Sequence, residues 1–221
     1  MDHSLDAEDW KELRKLLYSA VLSDVLDDLG WRRQTLDPGL VPLDSGLVLM
    51  GRAFTAIAAE VSVIPAEPYK LQMEAVDAID PEEVFVVQTG GSDKAAFWGE
   101  LLSTACRARG GTGAVVDGLC RDTRRIREMG FPVYARGTRP ADSKGRLDVV
   151  AYQVPVEIGG VRIEPGDILF GDSDGITVVP RQAERQAIEL ALAKATGENG
   201  VRAALQNGML CSEAFRTFGI L

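Results

Sequence analysis

GELLSTACRARGGTGAVVDGLCRD, residues 99–122, is the stretch whose reading decides the fold. Leu101, Leu102, Ala105, Cys106 and Ala108 fall at i, i+1, i+4, i+5 and i+7, the apolar stripe of a helix that Gly99 opens. Gly110, Gly111 and Gly113 stop that helix and turn the chain. Ala114-Val115-Val116 is short, apolar and partly β-branched, the composition of a buried strand. Asp117-Gly118 ends the strand. Arg121 and Asp122 follow in the loop beyond its carboxyl end, where α/β folds place their ligands.

Outward from this unit, the chain alternates helices and strands. The spacing of Leu13, Leu16, Leu17, Ala20, Val21, Val25 and Leu26 predicts a helix over 8–29, stopped by Gly30. Leu47–Gly51 and Ala53–Glu60 read as strands, Tyr69–Ala78 as a short helix and Val84–Val87 as a buried strand. Thr123–Met129 reads as a short helix and Phe131–Ala135 as a strand. Val149–Val156 and Val161–Ile163 predict a hairpin through Gly159-Gly160. Strands at Ile168–Gly171 and Gly175–Pro180 precede a helix over Gln182–Thr196, which Gly197 should stop. The tail, Val201–Leu221, reads as a helix and an arm. The pattern is mixed α/β layering without an internal repeat, not a purely doubly wound sheet.

Composition narrows the function classes. The 221 residues carry a formal net charge of −9, which argues against a nucleic-acid partner. No apolar run reaches the roughly 18 residues of a membrane span. The opening MDHSLDAEDW lacks the basic start and apolar centre of a signal peptide. The three cysteines, Cys106, Cys120 and Cys211, have no metal-site spacing and suit a reducing cytoplasm. The single histidine, His3, stands in the terminal segment, so imidazole catalysis and His-rich zinc sites are not expected. Chemistry would fall to Arg, Lys, carboxylates, backbone amides and a hard metal ion.

The candidate groups lie in the central stretch. The helix N-terminus at Gly99, Glu100, Leu101 and Leu102 presents unpaired amides that either receive a carboxylate or phosphate, or simply begin a helix. Arg121 offers a planar fork for a carboxylate, or a surface ion pair. Asp122 is an oxygen ligand suited to Mg²⁺ or Mn²⁺, and equally an N-cap for the short helix after it. Asp172 and Asp174 read as turn formers and Cys120 as structural. Neither G-x-G-x-x-G nor G-x-x-x-x-G-K-[ST] follows the strand at 84–87, and 142–146 reads as a solvated polar loop.

Beyond spacing, several segments resemble the RraA-like family: Gly99-Glu100-Leu101-Leu102, Val115-Val116-Asp117-Gly118, Arg121-Asp122-Thr123, Gly130-Phe131-Pro132-Val133 and Ala135-Arg136-Gly137. The resemblance continues through Val154-Pro155-Val156, Pro165-Gly166-Asp167 and Gly171-Asp172-Ser173-Asp174-Gly175-Ile176, and so covers about residues 15–215. That family includes 4-hydroxy-4-methyl-2-oxoglutarate aldolases, with oxaloacetate decarboxylation through the same enolate, and the ribonuclease E inhibitor RraA. Some members bear the label dimethylmenaquinone methyltransferase, for which this chain has no glycine-rich nucleoside motif.

The resemblance implies one α/β/β sandwich of the swivelling-domain type over 1–221, with an N-terminal helix and a C-terminal helical arm. It implies a homotrimer or homohexamer with a Mg²⁺- or Mn²⁺-dependent site at a subunit interface. There the amides of Gly99, Glu100, Leu101 and Leu102, with Arg121, hold the pyruvyl part of a small α-keto acid. Asp122 holds the metal, and Glu198 of a neighbouring subunit supports its water shell. The implied reaction is a class II aldolase or decarboxylase cleavage that releases pyruvate. The alternative is a non-catalytic protein that binds a partner such as a ribonuclease. The chain departs from the aldolases at Arg125, where they carry an acidic residue three positions after the metal-binding Asp. Turned inward, this cation would weaken metal binding or meet an acidic substrate tail.

Overall fold

The computed structural model describes residues 5–220, so His3 lies outside the described residues. In chain order the elements are α1 (Ala7–Leu16), α2 (Ser19–Asp28), β1 (Val41–Pro42), β2 (Leu49–Glu60), α3 (Lys70–Asp77), β3 (Glu83–Gln88), β4 (Ala96–Trp98), α4 (Glu100–Ala108) and β5 (Gly113–Cys120). There follow α5 (Thr123–Glu128), β6 (Val133–Thr138), β7 (Leu147–Tyr152), β8 (Val156–Ile158), β9 (Val161–Ile163), β10 (Ile168–Asp172), β11 (Gly175–Val179), α6 (Glu184–Gln206) and α7 (Cys211–Phe218).

A nine-stranded sheet runs β1-β6-β5-β3-β2-β10-β11, with β4 added to β5 and β7 to β2. The pairs among β2, β3, β5, β6 and β4 are parallel, and those of β1, β7, β10 and β11 are antiparallel. Side-chain alternation sorts the layers. Phe85 and Val87 of β3, with Ala114 and Val116 of β5, face a core shared with α3, α4 and α5. Val84, Val86 and Val115 face the opposite core, closed by the hairpin β8–β9 through Val156, Ile158, Val161 and Ile163. Helices α1, α2 and α6 cover the sheet beside β10 and β11 through Leu22, Leu26, Phe170 and Ala187. Helices on one face and a small second sheet on the other give the α/β/β layering.

The structure corrects four local expectations. The helix predicted over 8–29 breaks at Leu17-Tyr18, both extended. Asp172 of the β10 end causes the restart, accepting from the Ser19 amide at 2.8 Å and the Ser19 hydroxyl at 2.7 Å. A carboxylate from another element thus serves the helix start that Tyr18 cannot cap. The two strands predicted over 47–60 are one strand, because Gly51 continues the ladder. A Cβ there would lie 2.6 Å from the Glu82 carbonyl oxygen, so this glycine allows close packing and makes no break.

Only β8 and β9 form the expected hairpin, with Gly159 and Gly160 at φ 56° and 76°. Residues 147–152 leave it to pair with β2. Finally, α6 runs through Gly197 and Gly200 to Gln206, and neither glycine stops it. Glycine in a helix interior is less favourable than alanine by about 1 kcal/mol, and docked helices can absorb that cost.

Gly200 is exposed, and a Cβ there would meet only Phe218 Cε1 at 3.8 Å. Gly200→Ala should therefore stabilise the protein by about 0.5–1 kcal/mol, read as a higher denaturation midpoint in urea. An unchanged or lower midpoint would contradict a continuous helix through this position.

Candidate active site

The site begins with strand pairing. β4 lies parallel to the end of β5, Ala96 opposite Leu119 and Trp98 opposite Cys120. The Arg121 amide extends this pairing by donating to the Trp98 carbonyl at 2.9 Å. The two chains leave the sheet side by side, one into α4 through Gly99 and the other into α5 through Asp122. Residues more than twenty positions apart therefore meet.

Trp98 is held from both sides. Its ring packs on Phe85 with centroids 5.0 Å apart, and its Nε1 donates to Ser103 Oγ at 2.8 Å. Ser103 in turn donates to the Gly99 carbonyl at 3.1 Å, which pins the first turn of α4. The apolar stripe predicted for this helix is only partly its buried face. Cys106 is buried and Leu102 and Ala105 pack on the core, but Ser103 takes a buried place and Leu101 is 76% exposed.

Asp122 adopts the left-handed region, φ 57° and ψ 26°, a conformation aspartate tolerates better than most residues. Its carbonyl accepts from Arg125 and Ile126 as the first bonds of α5. Its carboxylate does not cap that helix, contrary to the N-cap expectation. It turns instead to the start of α4, with Oδ2 3.4 Å from the Glu100 amide and 3.6 Å from Arg121 Nε. A Cβ at Gly99 would lie 2.8 Å from that oxygen and 3.2 Å from Arg121 Cγ, so the glycine makes room for both side chains.

Arg121 Nη1 also meets Asp142 Oδ1 at 3.1 Å. Asp142 is placed by a backbone bridge to Ala96, whose amide donates to the Ala141 carbonyl. Its other oxygen accepts from the Tyr69 hydroxyl. Burial pushes the Asp142 carboxyl up, but the Tyr69 hydroxyl, the Lys144 and Ser143 amides and the Arg121 charge outweigh it and hold it below its usual value. Burial, then the bond to Asp142, pushes the Tyr69 phenol up to about 12. At neutral pH the cluster is therefore a phenol, a carboxylate and a guanidinium, bonded in that order.

These residues line a cavity of about 340 Å³. Gly99, Leu101, Leu102, Arg121 and Asp122, all expected from the sequence, are brought together there. Glu100 is outside the lining: its amide faces Asp122 Oδ2 at 3.4 Å and its side chain accepts from Thr104. Glu198 does not line the cavity. It lies within α6, where the Tyr18 hydroxyl donates to it. Arg125 is exposed and likewise outside the lining. The sequence reading missed Tyr69 and Asp142, because only the β4 bridge and the αL turn at Tyr69 bring them in. Cys120 is buried, and burial lifts its thiol to about 12.

No cluster of three His, Cys, Asp or Glu side chains is arranged around a metal position among the described residues. Asp122 is a hard oxygen donor, 44% exposed, with Oδ2 3.6 Å from Arg121 Nε. Mg²⁺ and Mn²⁺, which keep most of their waters and bind through one or two carboxylates, suit such a donor set.

Two outcomes follow. Gly99→Ala, at an extended backbone that any residue adopts, should leave the thermal midpoint nearly unchanged while displacing Arg121 and Asp122. On the expectation drawn from the sequence, that this cluster receives a carboxylate, calorimetric titration with pyruvate should show the loss of binding. On the same expectation, Asp142→Asn should weaken pyruvate binding about tenfold, because Arg121 loses a charged partner that orients its fork. Wild-type affinity in both variants would remove this cluster from carboxylate recognition.

Comparison with known proteins gives a consistent picture. The family model described as RraA-like, Aldolase/RraA, matches residues 19–178. Protein DlpA of Legionella pneumophila is 29% identical over 89% of this chain, and the chain spans 31% of DlpA's length. A Halalkalibacterium halodurans protein named "Putative 4-hydroxy-4-methyl-2-oxoglutarate aldolase" is 29% identical over 88% of this chain and 87% of its own. The crystal structure of Streptomyces coelicolor RraAS2, titled an unusual member of the RNase ES inhibitor RraA protein family, is 33% identical. It covers 90% of this chain and 98% of its own with a TM-score of 0.77. With the family model spanning most of the chain and the same fold in RraAS2, the protein belongs to the RraA-like family.

Proposed function

We propose that the protein is a divalent-metal-dependent lyase that cleaves a short 2-oxo acid and releases pyruvate. One observation carries the reading: Arg121 and Asp122 line one cavity together with Gly99, Leu101 and Leu102 at the start of α4, where Asp122 Oδ2 lies 3.4 Å from the Glu100 amide. The α4 N-terminus and the Arg121 fork bind the carboxylate of the 2-oxo acid. Asp122 would hold Mg²⁺ or Mn²⁺, which would supply Lewis acidity toward the 2-oxo group.

For a 4-hydroxy-2-oxo acid, the hydroxyl proton passes to solvent water and the C3–C4 bond breaks. C4 becomes a carbonyl, and the electron pair passes to the pyruvate enolate, which is protonated at C3. Arg121 stabilises the negative charge where it develops. Asp142 keeps the fork aimed throughout. Oxaloacetate passes through the same enolate by losing carbon dioxide. In a homotrimer or homohexamer, Glu198 of a neighbouring subunit would help hold the ion.

The likeness to RraAS2 favours a second reading, a non-catalytic protein that binds a protein partner such as a ribonuclease. Pyruvate release separates the two. Oxaloacetate, 4-hydroxy-4-methyl-2-oxoglutarate and 4-hydroxy-2-oxo acids with neutral tails are each supplied with Mg²⁺, Mn²⁺ or EDTA. Release that EDTA abolishes and Asp122→Asn nearly abolishes is expected. Arg121→Lys should lower kcat/KM at least tenfold, since an ammonium cannot replace the bidentate fork. No metal-dependent release from any of these substrates would leave the partner-binding reading.

A further inference from the structure

We propose that Tyr69 is a catalytic residue of this site, and that its phenol gives the proton that C3 of the pyruvate enolate receives. The inference rests on the 2-oxo acid reading above and names the acid which that reading leaves open. Tyr69, Asp142 and Arg121 all line the cavity. Asp142 spans the space between the other two, one oxygen 3.1 Å from Arg121 Nη1 and the other accepting from the Tyr69 hydroxyl. The phenol therefore stands one carboxylate's breadth from the fork that grips the substrate. In pyruvate, C3 is two bonds from the carboxyl carbon. With that carboxylate seated on Arg121, C3 and the phenol stand at comparable distances from the fork, in one cavity.

Two anchors on β4 hold this arrangement. The Ala96 amide donates to the Ala141 carbonyl at 2.8 Å, beside Asp142, and the buried Gln72 side chain of α3 donates to the Phe97 carbonyl at 3.2 Å. The start of α3 and the loop bearing Asp142 are thus both registered to the strand that leads into Gly99. Tyr69 itself begins α3 at φ 64° and ψ 10°, in the left-handed region, which bulky residues seldom adopt. Such outliers persist where the surroundings over-determine them, and they cluster at active sites. Every bond of the triad is made within one chain, and a subunit that brings Glu198 to this cavity adds to it without supplying any of the three.

Protonation states suit the phenol as donor. Burial, then the bond to Asp142, pushes it up to about 12, so it carries its proton at neutral pH. Asp142 is held below its usual value and has none to give. An enolate carbon is a stronger base than a phenolate, so the transfer runs downhill. In the step, the phenol O–H bond breaks and a C3–H bond forms from the enolate's electron pair. The phenolate then recovers a proton from solvent water. Asp142, fixed by Arg121 and the Lys144 amide, holds the phenol oxygen in place while the hydroxyl hydrogen turns from it to C3. In reverse, the same phenolate removes a methyl proton from bound pyruvate.

The test uses the intact protein with Mg²⁺ and follows proton transfer, binding and cleavage separately. Exchange of the pyruvate methyl protons in D₂O, read by proton NMR, should fall at least about a hundredfold in Tyr69→Phe. Calorimetric pyruvate affinity should stay within about threefold of wild type, since Arg121 and Asp142 remain. Carbon dioxide release from oxaloacetate should fall far less than exchange, because that cleavage forms the enolate without an acid. Exchange at the wild-type rate in Tyr69→Phe would overturn the role of Tyr69 and leave the 2-oxo acid reading standing. A common fall of exchange, affinity and carbon dioxide release would make Tyr69 a positioning residue for the Arg121 fork and overturn the proton transfer. If wild type neither exchanges pyruvate nor cleaves oxaloacetate, the 2-oxo acid reading falls and the role of Tyr69 with it.

Discussion

The parallel pairing of β4 with the end of β5 is the constraint on which the site depends. The Arg121 amide to the Trp98 carbonyl is its last hydrogen bond, and beyond it the two chains diverge into α4 and α5. Ladder geometry fixes that distance to within a few tenths of an ångström. Gly99 then faces Arg121 and Asp122 without intervening side-chain bulk. Ser103 and Phe85 hold Trp98 from opposite sides, so packing in the helical layer sets the position of the polar groups at the sheet's edge.

The same sheet distributes its neighbours by alternation. Phe85 and Val87 look toward α3–α5, and Val84 and Val86 toward the β8–β9 hairpin. Because every central strand is covered on both faces, the strands read as continuous apolar runs. The loops at their ends carry the charges. Arg121, Asp122 and Asp142 all stand where the β4–β5 pair gives out.

How much of this was legible in the sequence follows from the range of each interaction. Val84–Val87 and the helix after Gly99 are local patterns, and each appears within a residue or two of its expected place, whereas β5 starts as expected but runs past Asp117-Gly118 to Cys120, where it pairs with β4 and β6. The break at Leu17-Tyr18 was hidden because its cause, Asp172, lies more than 150 residues away. Gly197 and Gly200 mimic a helix stop, but the packing of α6 on α2 and α7 overrides their propensity. In the site, Arg121 and Asp122 were visible as a charged pair after a buried strand. Tyr69 and Asp142 were not, since a tyrosine before a short helix and an aspartate in a polar loop carry no local sign of a shared partner.

The left-handed backbone at Asp122 has an evolutionary consequence. Asparagine and glycine occupy that region as readily as aspartate, whereas longer or β-branched side chains do not. One nucleotide change in the Asp122 codon can therefore remove the carboxylate while the turn into α5 keeps its shape. The chemistry and the architecture at this position are separable by mutation. A lineage carrying this fold has a short route from a reacting surface to a purely recognising one, and the reverse route is equally short.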